Sequence, residues 1–422
     1  MTQLPRWAQR LKERNPDGEM PSREQPIPGW LETEVVRVPL WYTIREAPEI
    51  RSQHPFLLLE EIHRQPQQWA EIANDCWPRV NELADVIAER EIEHVVFTGC
   101  GSAFFTAIHG AFIFPRLAGL TAAAIESYEL ANYFPRLDAA NTLVVGHSGT
   151  GGSIETIQAM EAARSRGCLT LAVTNTDGSG VEAASDLHLT YVTHQACGPC
   201  ISVVSTRVLM VFMLGVALAK RRHADTREVA DLERSLHDIA GVGTRFLEAS
   251  GQRVWDLAQA FRTATSFFIV GSGPNYFSAR EGTLKIEEQA ILVGKAYRTG
   301  DFHHDALSLV APDRVVIAIE AAGEANERVV DVLRAARQAG SPTVAVVWSG
   351  SQSADELAAA ADHALRLDGN LSELLVPIPM TIVFQLLGYY LGVERGYNPD
   401  TLRTDHLPNA RAWLTSFPLG TH

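Results

Sequence analysis

Two stretches of the sequence decide the fold: HVVFTGCGSAFFTA (94–107) and SFFIVGSGPNYFSA (266–279). Each begins as a short apolar run rich in β-branched and aromatic residues, and then passes through glycine and serine into a helical pattern. The second stretch repeats the design of the first. A short apolar strand that leads through a glycine turn into a helix is typical of a parallel α/β sheet.

The repetition continues outward from both stretches. The segment NTLVVGHSGTGGSIETIQAMEAARSRG (141–167) is mirrored by RVVIAIEAAGEANERVVDVLRAARQAG (314–340), and LTLAVTNTDGS (169–179) is mirrored by PTVAVVWSGS (342–351). Each unit ends in a long apolar helix, which we interpret as a core helix rather than a membrane span. The sequence therefore predicts an α/β protein of two tandem flavodoxin-like domains, each a parallel sheet with helices on both faces.

The rest of the chain divides around these two units. Residues 54–75, HPFLLLEEIHRQPQQWAEIAND, place Leu58, Ile62 and Trp69 at helical spacing ahead of the first sheet. The predicted divisions are an N-terminal arm rich in proline and charge (1–55), a first domain (56–222), a charged helical linker (223–262), a second domain (263–397) and a C-terminal tail (398–422).

Composition and charge exclude some classes of partner. The 422 residues are 46% hydrophobic and 20% charged, as in ordinary globular proteins. The formal net charge of −14 argues against nucleic acid and against an anionic membrane surface as partners. A small anionic substrate remains compatible with this charge, because backbone N–H groups in a local pocket can bind a phosphate.

The cysteines predict a reduced, cytoplasmic protein. The chain has five, an odd number, and its first residues lack the apolar core of a secretion signal. Cys197 and Cys200 form a CxxC pair, but no second ligand pair with zinc spacing accompanies them. A redox pair and a plain loop of small residues both remain open for this segment.

Glycines and hydroxyls follow two strands of the first unit. Gly99-Cys100-Gly101-Ser102 follows the first strand, and Gly146-His147-Ser148-Gly149-Thr150-Gly151-Gly152-Ser153 overlaps the end of the next. Glycines let a backbone approach an anion closely, and helix N-termini and hydroxyls donate hydrogen bonds to it. Ser205 and Thr206 open the unit's last helix. Since ligands bind beyond the carboxyl ends of parallel strands, we expect a phosphate here.

The second unit predicts no duplicate of this phosphate site. Where the first unit has HSGTGGS, the second has EAAGEAN. The carboxylates of Glu320 and Glu324 in that segment would repel a phosphate. We therefore expect the phosphate in the first domain alone.

These segments resemble the double SIS (sugar isomerase) domain family over roughly residues 55–410. The chain is similar to the isomerase half of glutamine–fructose-6-phosphate aminotransferase, to tagatose-6-phosphate ketose/aldose isomerase and to fructosamine-6-phosphate deglycases. EEIHRQPQQW, TNTDGSGVEAASD and GYNPDTLR resemble the family's entry helix, its N-to-D stretch and its C-terminal NPD loop. The first 55 residues show no glutaminase domain and no helix-turn-helix, which disfavours the aminotransferase itself and the related transcriptional regulators.

The resemblance gives roles to two residues sixteen positions apart. Residues 281–288 match the family's E-G-x-x-K-x-x-E helix, and the loop that follows has His303 and His304 where the family has its histidine. Glu288 is thereby implied as the base that moves a proton between C1 and C2, and His304, favoured over His303 by register, as the acid. The residues expected to bind the substrate are Cys100, Gly101, Ser102, His147, Ser148, Gly149, Thr150, Val203, Ser205, Thr206, Lys285 and His406.

The chain departs from the family pattern at several positions. Ala103 replaces a second hydroxyl, Cys200 replaces a glutamate, and Leu407 replaces the lysine that opens the sugar ring in the aminotransferase type. The loss of that lysine favours a substrate that already carries its nitrogen, or a simple isomerase. His406 lies beside the position and is a candidate substitute.

The sequence thus predicts an aldose–ketose isomerase, with or without deamination, acting on a sugar or amino-sugar 6-phosphate. A fructosamine-6-phosphate deglycase and a sugar-phosphate sensor without turnover are the alternatives. No cofactor and no metal are predicted. The resemblance implies a homodimer in which the histidine loop completes a neighbouring subunit's site.

Overall fold

The computed structural model describes residues 51–417 apart from residues 137, 196 and 370 and the segments 223–225, 322–324 and 350–351. Residues 1–50 of the predicted arm lie outside the described part of the chain. Glu324 of the second unit also lies outside it. The predicted domain boundaries stay predictions.

A 32-residue helix, α1 (Leu57–Ala88), precedes the first sheet. Leu58, Ile62 and Trp69, which the sequence placed on one helical face, are all buried. The carboxylate of Asp400, from the C-terminal segment, accepts hydrogen bonds from the N–H groups of Leu57 (3.0 Å) and Leu58 (2.8 Å). It satisfies two of the donors that the first turn of a helix leaves without intrahelical partners.

The first sheet is parallel throughout, with strand order β2-β1-β3-β4-β5. Its strands are β1 (His94–Thr98), β2 (Thr121–Ala124), β3 (Thr142–Ser148), β4 (Leu169–Thr174) and β5 (Leu187–Thr190). Its helices are α2 (Ser102–Ala118), α3 (Ser127–Asn132), α4 (Ile154–Ser165), α5 (Gly180–Ala183) and α6 (Ser202–Arg221), with a 3₁₀ turn at Ala139–Asn141. β1 and β3 are buried almost throughout.

A 35-residue helix, α7 (Thr226–Ala260), leads to a second parallel sheet of order β7-β6-β8-β9-β10. Its strands are β6 (Ser266–Val270), β7 (Val293–Tyr297), β8 (Arg314–Ile319), β9 (Thr343–Trp348) and β10 (His363–Leu367). Its helices are α8 (Asn275–Ala290), the turn α9 (Thr299–Asp301), α10 (Ala325–Gln338), α11 (Gln352–Ala360) and α12 (Pro377–Glu394); α13 (Leu407–Ser416) follows. Two sheets of one strand order confirm the predicted α/β fold.

The two long apolar helices lie in the core. One described helix, α6, is long and apolar enough to cross a membrane by length and composition, and that stretch is completely buried within the protein. It packs against α1 and α2, while α12 packs against α7 and α8. Their burial agrees with the interpretation as core helices.

Candidate functional site

The carboxyl end of β1 is built for close approach of the backbone. A Cβ at Gly99 would stand 2.7 Å from the carbonyl carbon of Ala103, so only glycine fits there. Gly101 has φ +55°, a conformation that favours glycine, and α2 begins directly after it. The hydroxyl-bearing Ser102 is half-buried in the first turn of α2, where the helix dipole favours an anion.

The hydroxyls that follow β3 are partly used within their own loop. Ser148 Oγ accepts from the N–H of Gly151 (3.0 Å) and donates to Ser153 Oγ (3.2 Å). Thr150 Oγ1 accepts from the N–H of Gly152 at 3.2 Å. These bonds fix the shape of the loop that leads into α4. A ligand at this edge would compete with them or bind the loop's remaining donors.

The Cys100 thiol meets a carboxylate. Cys100 Sγ donates to Glu126 Oε1 at 3.0 Å, and the other oxygen of Glu126 accepts from two N–H groups in the first turn of α3. Burial, followed by this carboxylate, raises the pKa of Cys100 to about 12. The thiol is therefore neutral, and a negative charge that the sequence did not predict stands at this edge of the sheet.

His147 lies fully inside the sheet. Its ring stacks on Phe97 with centroids 6.0 Å apart, and neither ring nitrogen has a hydrogen-bond partner in the described structure. Burial, together with the nearby Arg207 guanidinium, holds the pKa of His147 well below its usual value. The neutral ring is available for a hydrogen bond but not as a cation, so its predicted role in substrate binding stays a prediction.

The residues that open α6 separate into two groups. Ser205 Oγ accepts from Trp69 Nε1 (2.9 Å) and donates to Gln65 Oε1 (2.7 Å), so its single donor is used in packing against α1. Ser202 and Thr206 are also buried, but their hydroxyl oxygens have no hydrogen-bond partner within the described chain. Val203 contributes a carbonyl that accepts from Tyr191 Oη at 3.0 Å. Ser205 is thus the weakest of the predicted ligands here.

The adjacent glutamates of α8 have different surroundings. Glu287 is exposed, and its carboxylate accepts from the N–H of Gly294 at 3.3 Å. The side chain of Glu288 is 21% exposed and lies 2.6 Å from Lys285 Nζ. Burial raises the pKa of Glu288 above its usual value, and the Lys285 ammonium opposes that rise. Glu288 therefore has the environment of a carboxylate base tuned toward neutral pH.

Lys285 joins the two domains at this point. Its side chain is fully buried, and its ammonium forms a second ion pair with the buried Glu281 at 3.2 Å. Burial alone would lower the pKa of Lys285, but the two carboxylates raise it above its usual value. The ammonium also donates to the carbonyl of Cys200 at 3.0 Å. Glu288 is thereby held beside the loop that opens α6 in the first domain.

The CxxC segment is part of this junction. The N–H of Gly198 donates to the carbonyl of Asp400 at 2.7 Å, while Cys200 accepts from Lys285. Both cysteines are free thiols, and burial raises the pKa of each. Among the described residues no group of three or more His, Cys, Asp or Glu side chains could hold a metal ion. The segment is thus bonded to Lys285 of the second domain and to Asp400 of the C-terminal segment.

In the second domain a carboxylate occupies the corresponding edge. Glu320 is buried at the end of β8, where it accepts from the N–H of Trp348 (3.0 Å) and from Ser353 Oγ (2.7 Å). These are donors of the kind that a phosphate would use. The side chain thus supplies its own anion there, which supports the expectation of one phosphate site in the first domain.

The two histidines after α8 lie in a helical turn rather than in the predicted loop. Phe302–Ala306 forms a π-helical turn that continues α9. His303 is half-buried with Nε2 3.2 Å from the carbonyl of Arg328, whereas His304 is exposed. His304 makes no contact with Glu288 in this single chain. His406 is also exposed, with Nδ1 2.6 Å from Asn409 Oδ1.

Sequence reasoning missed two charged residues of this region, Arg207 and Glu126. Arg207 is only 2% exposed within the apolar helix α6, and an arginine among the apolar residues near the start of such a helix was a signal that could have been read. Glu126 carries no comparable signal, because its position depends on how β2 and α3 fold back to Cys100.

Comparison with known proteins identifies the relatives. The family model described as "SIS domain" matches residues 90–220 and 260–395. The chain is 30% identical over 356 residues to glutamine–fructose-6-phosphate aminotransferase (isomerizing) of Pyrobaculum aerophilum. The aligned residues make up 84% of this chain and 57% of the relative. The chain thus spans little more than half the length of that relative.

Solved structures show the same fold. The C-terminal domain of glucosamine-fructose-6-phosphate aminotransferase from Francisella tularensis superposes with a TM-score of 0.76 at 18% identity, covering 82% of this chain and 98% of that one. Tagatose-6-phosphate ketose/aldose isomerase from Escherichia coli gives 0.69 at 20% identity, with coverage of 83% and 96%. Both likenesses extend over the two tandem units.

Proposed function

Because the chain belongs to the SIS domain family, we propose that it is an enzyme that moves a proton between C1 and C2 of a phosphorylated sugar or amino sugar. The reaction interconverts aldose and ketose forms, with or without release of the amino group. The substrate is a 6-phosphate whose phosphate lies at the carboxyl edge of the first sheet. This proposal includes no metal and no cofactor.

One observation carries the proposal: Glu288 is partly exposed, has a raised pKa and is tied through Lys285 to the loop that opens α6. Isomerisation needs a base that takes a proton from one carbon and returns it to its neighbour through an enediol or enediolamine. A carboxylate poised toward neutral pH can do both steps. Its link through Lys285 to the loop that opens α6 supports a site shared with the first domain, where the phosphate is proposed.

The proposed acid is His304, supplied by a second copy of the chain. Its side chain is exposed, and the nearby Leu307 and Leu309 are 41% and 38% exposed. In the first domain Tyr128 and Tyr133 are 54% and 71% exposed. Large apolar side chains on the surface support an interface between copies, and the proposed enzyme is a homodimer.

Fructosamine-6-phosphate deglycation is a second candidate with the same proton transfer. It is favoured by Leu407, half-buried at the start of α13, which replaces the ring-opening lysine of the aminotransferase type. A substrate that already carries its nitrogen needs no such lysine. A sensor without turnover is the candidate of another class, and it would leave Glu288 without a chemical role.

The test is turnover with a panel of hexose, hexosamine and fructosamine 6-phosphates, followed by proton and phosphorus NMR. We expect the wild-type protein to convert at least one of them, and Glu288→Gln to lower kcat by about 10³-fold, within the range typical of acid–base catalysis. Glu287→Gln removes the same charge one residue away and serves as the control, with kcat within about twofold of wild type. Equal activity of the two variants would contradict the proposal.

A further inference from the structure

Arg207 is a buried cation that the proposed proton transfer does not use. It lies in the second turn of α6, is 2% exposed, and is surrounded along that helix by buried apolar side chains. Its Nε donates to Thr106 Oγ1 of α2 at 3.1 Å. Its Nη2 is buried and has no hydrogen-bond partner in the described structure. A guanidinium remains protonated in proteins, so the charge persists.

The polar groups near Arg207 do not compensate this charge. The titratable groups whose pKa the Arg207 charge affects are the Tyr191 hydroxyl, which also hydrogen-bonds to it, the Cys200 thiol and the His147 imidazole. Burial raises the pKa of Tyr191 to about 12, raises that of Cys200, and lowers that of His147, so all three are neutral near pH 7. Within the described ranges no salt bridge includes Arg207, whereas Lys285 nearby has two carboxylates. A buried charge of this kind is costly unless an ion pairs with it.

The guanidinium lies directly under the glycine loop that follows β3. Its Nη1 is 3.7 Å from the place where a Cβ at Gly149 would stand. Gly149, Thr150 and Gly152 are half-buried, so solvent reaches the outer side of the loop. On the same helix turns, Ser202 and Thr206 hold the buried hydroxyls that lack partners. A cation without an ion pair thus lies beside this loop, and hydroxyls without partners lie on the same helix turns.

We propose that Arg207 binds the phosphate of the substrate and supplies the positive charge of this site. The inference rests on the proposed function for the identity of the ligand as a sugar phosphate. A guanidinium offers a planar pair of N–H donors that matches two oxygens of a phosphate or a carboxylate. The phosphate is the favoured source of these oxygens because of the glycine loops and helix N-termini around it.

The test measures binding of glucitol 6-phosphate, which has no carbonyl and cannot be isomerised, by calorimetry. We expect Arg207→Met to weaken the binding of glucitol 6-phosphate by about 100-fold and Arg207→Lys to weaken it less. The two substitutions should not change the affinity for unphosphorylated glucitol. The control is Arg222→Met at the residue that follows α6, where Arg222 donates to the carbonyl of Ala118 at 2.8 Å. We also expect Arg207→Met to unfold at a higher temperature than wild type without ligand, because an uncompensated buried charge is removed.

Unchanged affinity for glucitol 6-phosphate in Arg207→Met, or no binding by the wild type, would overturn the inference. So would a lower unfolding temperature with unchanged affinity, which marks a purely structural arginine. An unphosphorylated N-fructosyl amino acid separates the two oxyanions: loss of its binding alone assigns Arg207 to a carboxylate and refutes the phosphate. If Arg207-dependent binding persists while no sugar phosphate is turned over, the proposed function fails and this inference stands.

Discussion

At the scale of single residues, Lys285 controls the charge of the proposed base. Its ammonium is 2.6 Å from Glu288 and 3.2 Å from Glu281, so one buried cation neutralises part of two carboxylates. The pKa of Glu288 is the outcome of burial, which raises it, and of Lys285, which lowers it. The net result is a raised pKa, which makes the carboxylate a stronger base toward a proton on carbon.

Replacing Lys285 should move the acid limb of the pH–rate profile. In Lys285→Met the raising effect of burial is left unopposed, so the pKa of Glu288 rises further and the ionised base is present only at higher pH. We expect kcat/KM to fall more at pH 6 than at pH 8, with the acid limb displaced upward. Lys295→Met, which removes an exposed ammonium on β7, is the control. An acid limb that stays in place would separate Glu288 from the rate-controlling ionisation.

The sequence predicted these residues to different extents. Glu288 could be named because residues 281–288 resemble the family's E-G-x-x-K-x-x-E helix. Lys285 could be named because the three-residue spacing places it on the same helical face. The commitment of Ser205 to Trp69 and Gln65 could not, because it depends on how α1 crosses α6. Arg207 is visible in the sequence, but it lies in an apolar helix that we interpreted only as part of the core, so it was not identified as a site residue.

At the scale of elements, the two units repeat even their polar contacts. Thr170 donates through its N–H (3.1 Å) and hydroxyl (2.8 Å) to Asp186, and Thr343 donates in the same way to Asp362 (3.0 and 2.8 Å). Each aspartate also forms a salt bridge with an arginine near the end of a helix, Arg164 of α4 with Asp186 and Arg337 of α10 with Asp362. The similarity between the two units therefore includes the hydrogen bonds from a threonine of one strand to the aspartate that precedes the next strand. The turn that carries His303 and His304 follows β7 as α3 follows β2, but the repeated sequence segments do not extend over it, so it was missed.

The cap that Asp400 provides for α1 gives a test of stability against pH. Burial raises the pKa of Asp400 from 3.8 to about 6, although its two N–H donors lower it. The folded state therefore holds the proton more tightly, and stability is lost as pH rises through the folded pKa. Relative to Asp400→Asn, the wild type should lose about 2 kcal/mol of unfolding free energy between pH 4 and pH 7.

Denaturant unfolding of both proteins across this pH range measures the difference, in which the other titrating groups cancel. A difference that is constant with pH, or that favours the wild type as pH rises, would show that Asp400 is not a carboxylate with a raised pKa. Its role as a cap would then rest on the hydrogen bonds alone.

At the scale of the whole molecule, the two domains meet through α2 and α8. The Arg280 guanidinium lies over the Phe105 ring at 4.4 Å, and His109 packs against Phe277 with centroids 5.7 Å apart. This contact, with the bond from Lys285 to Cys200, fixes the proposed base against the first domain. The tandem fold could be predicted from repeated strand patterns, but the way the units face each other depends on contacts that no local pattern encodes.

The single chain leaves His304 exposed, so the homodimer can be tested by complementation. If one subunit supplies Glu288 and its partner supplies His304, then a mixture of Glu288→Gln and His304→Gln proteins forms heterodimers with one intact site. After co-refolding in equal amounts, about a quarter of wild-type activity should return from two inactive preparations, as expected for random pairing. Continued inactivity, with heterodimers verified by mass, would place both residues in the same subunit's site.

The central claim is that Glu288 carries a proton between C1 and C2 of a sugar phosphate. The most direct measurement is proton NMR in D₂O with hexose, hexosamine and fructosamine 6-phosphates. We predict that deuterium enters C1 or C2 of the substrate with the wild-type protein and does not enter with Glu288→Gln. Deuterium entry at the same rate in the variant, or tight binding of a sugar phosphate by the wild type without any exchange, would contradict the account.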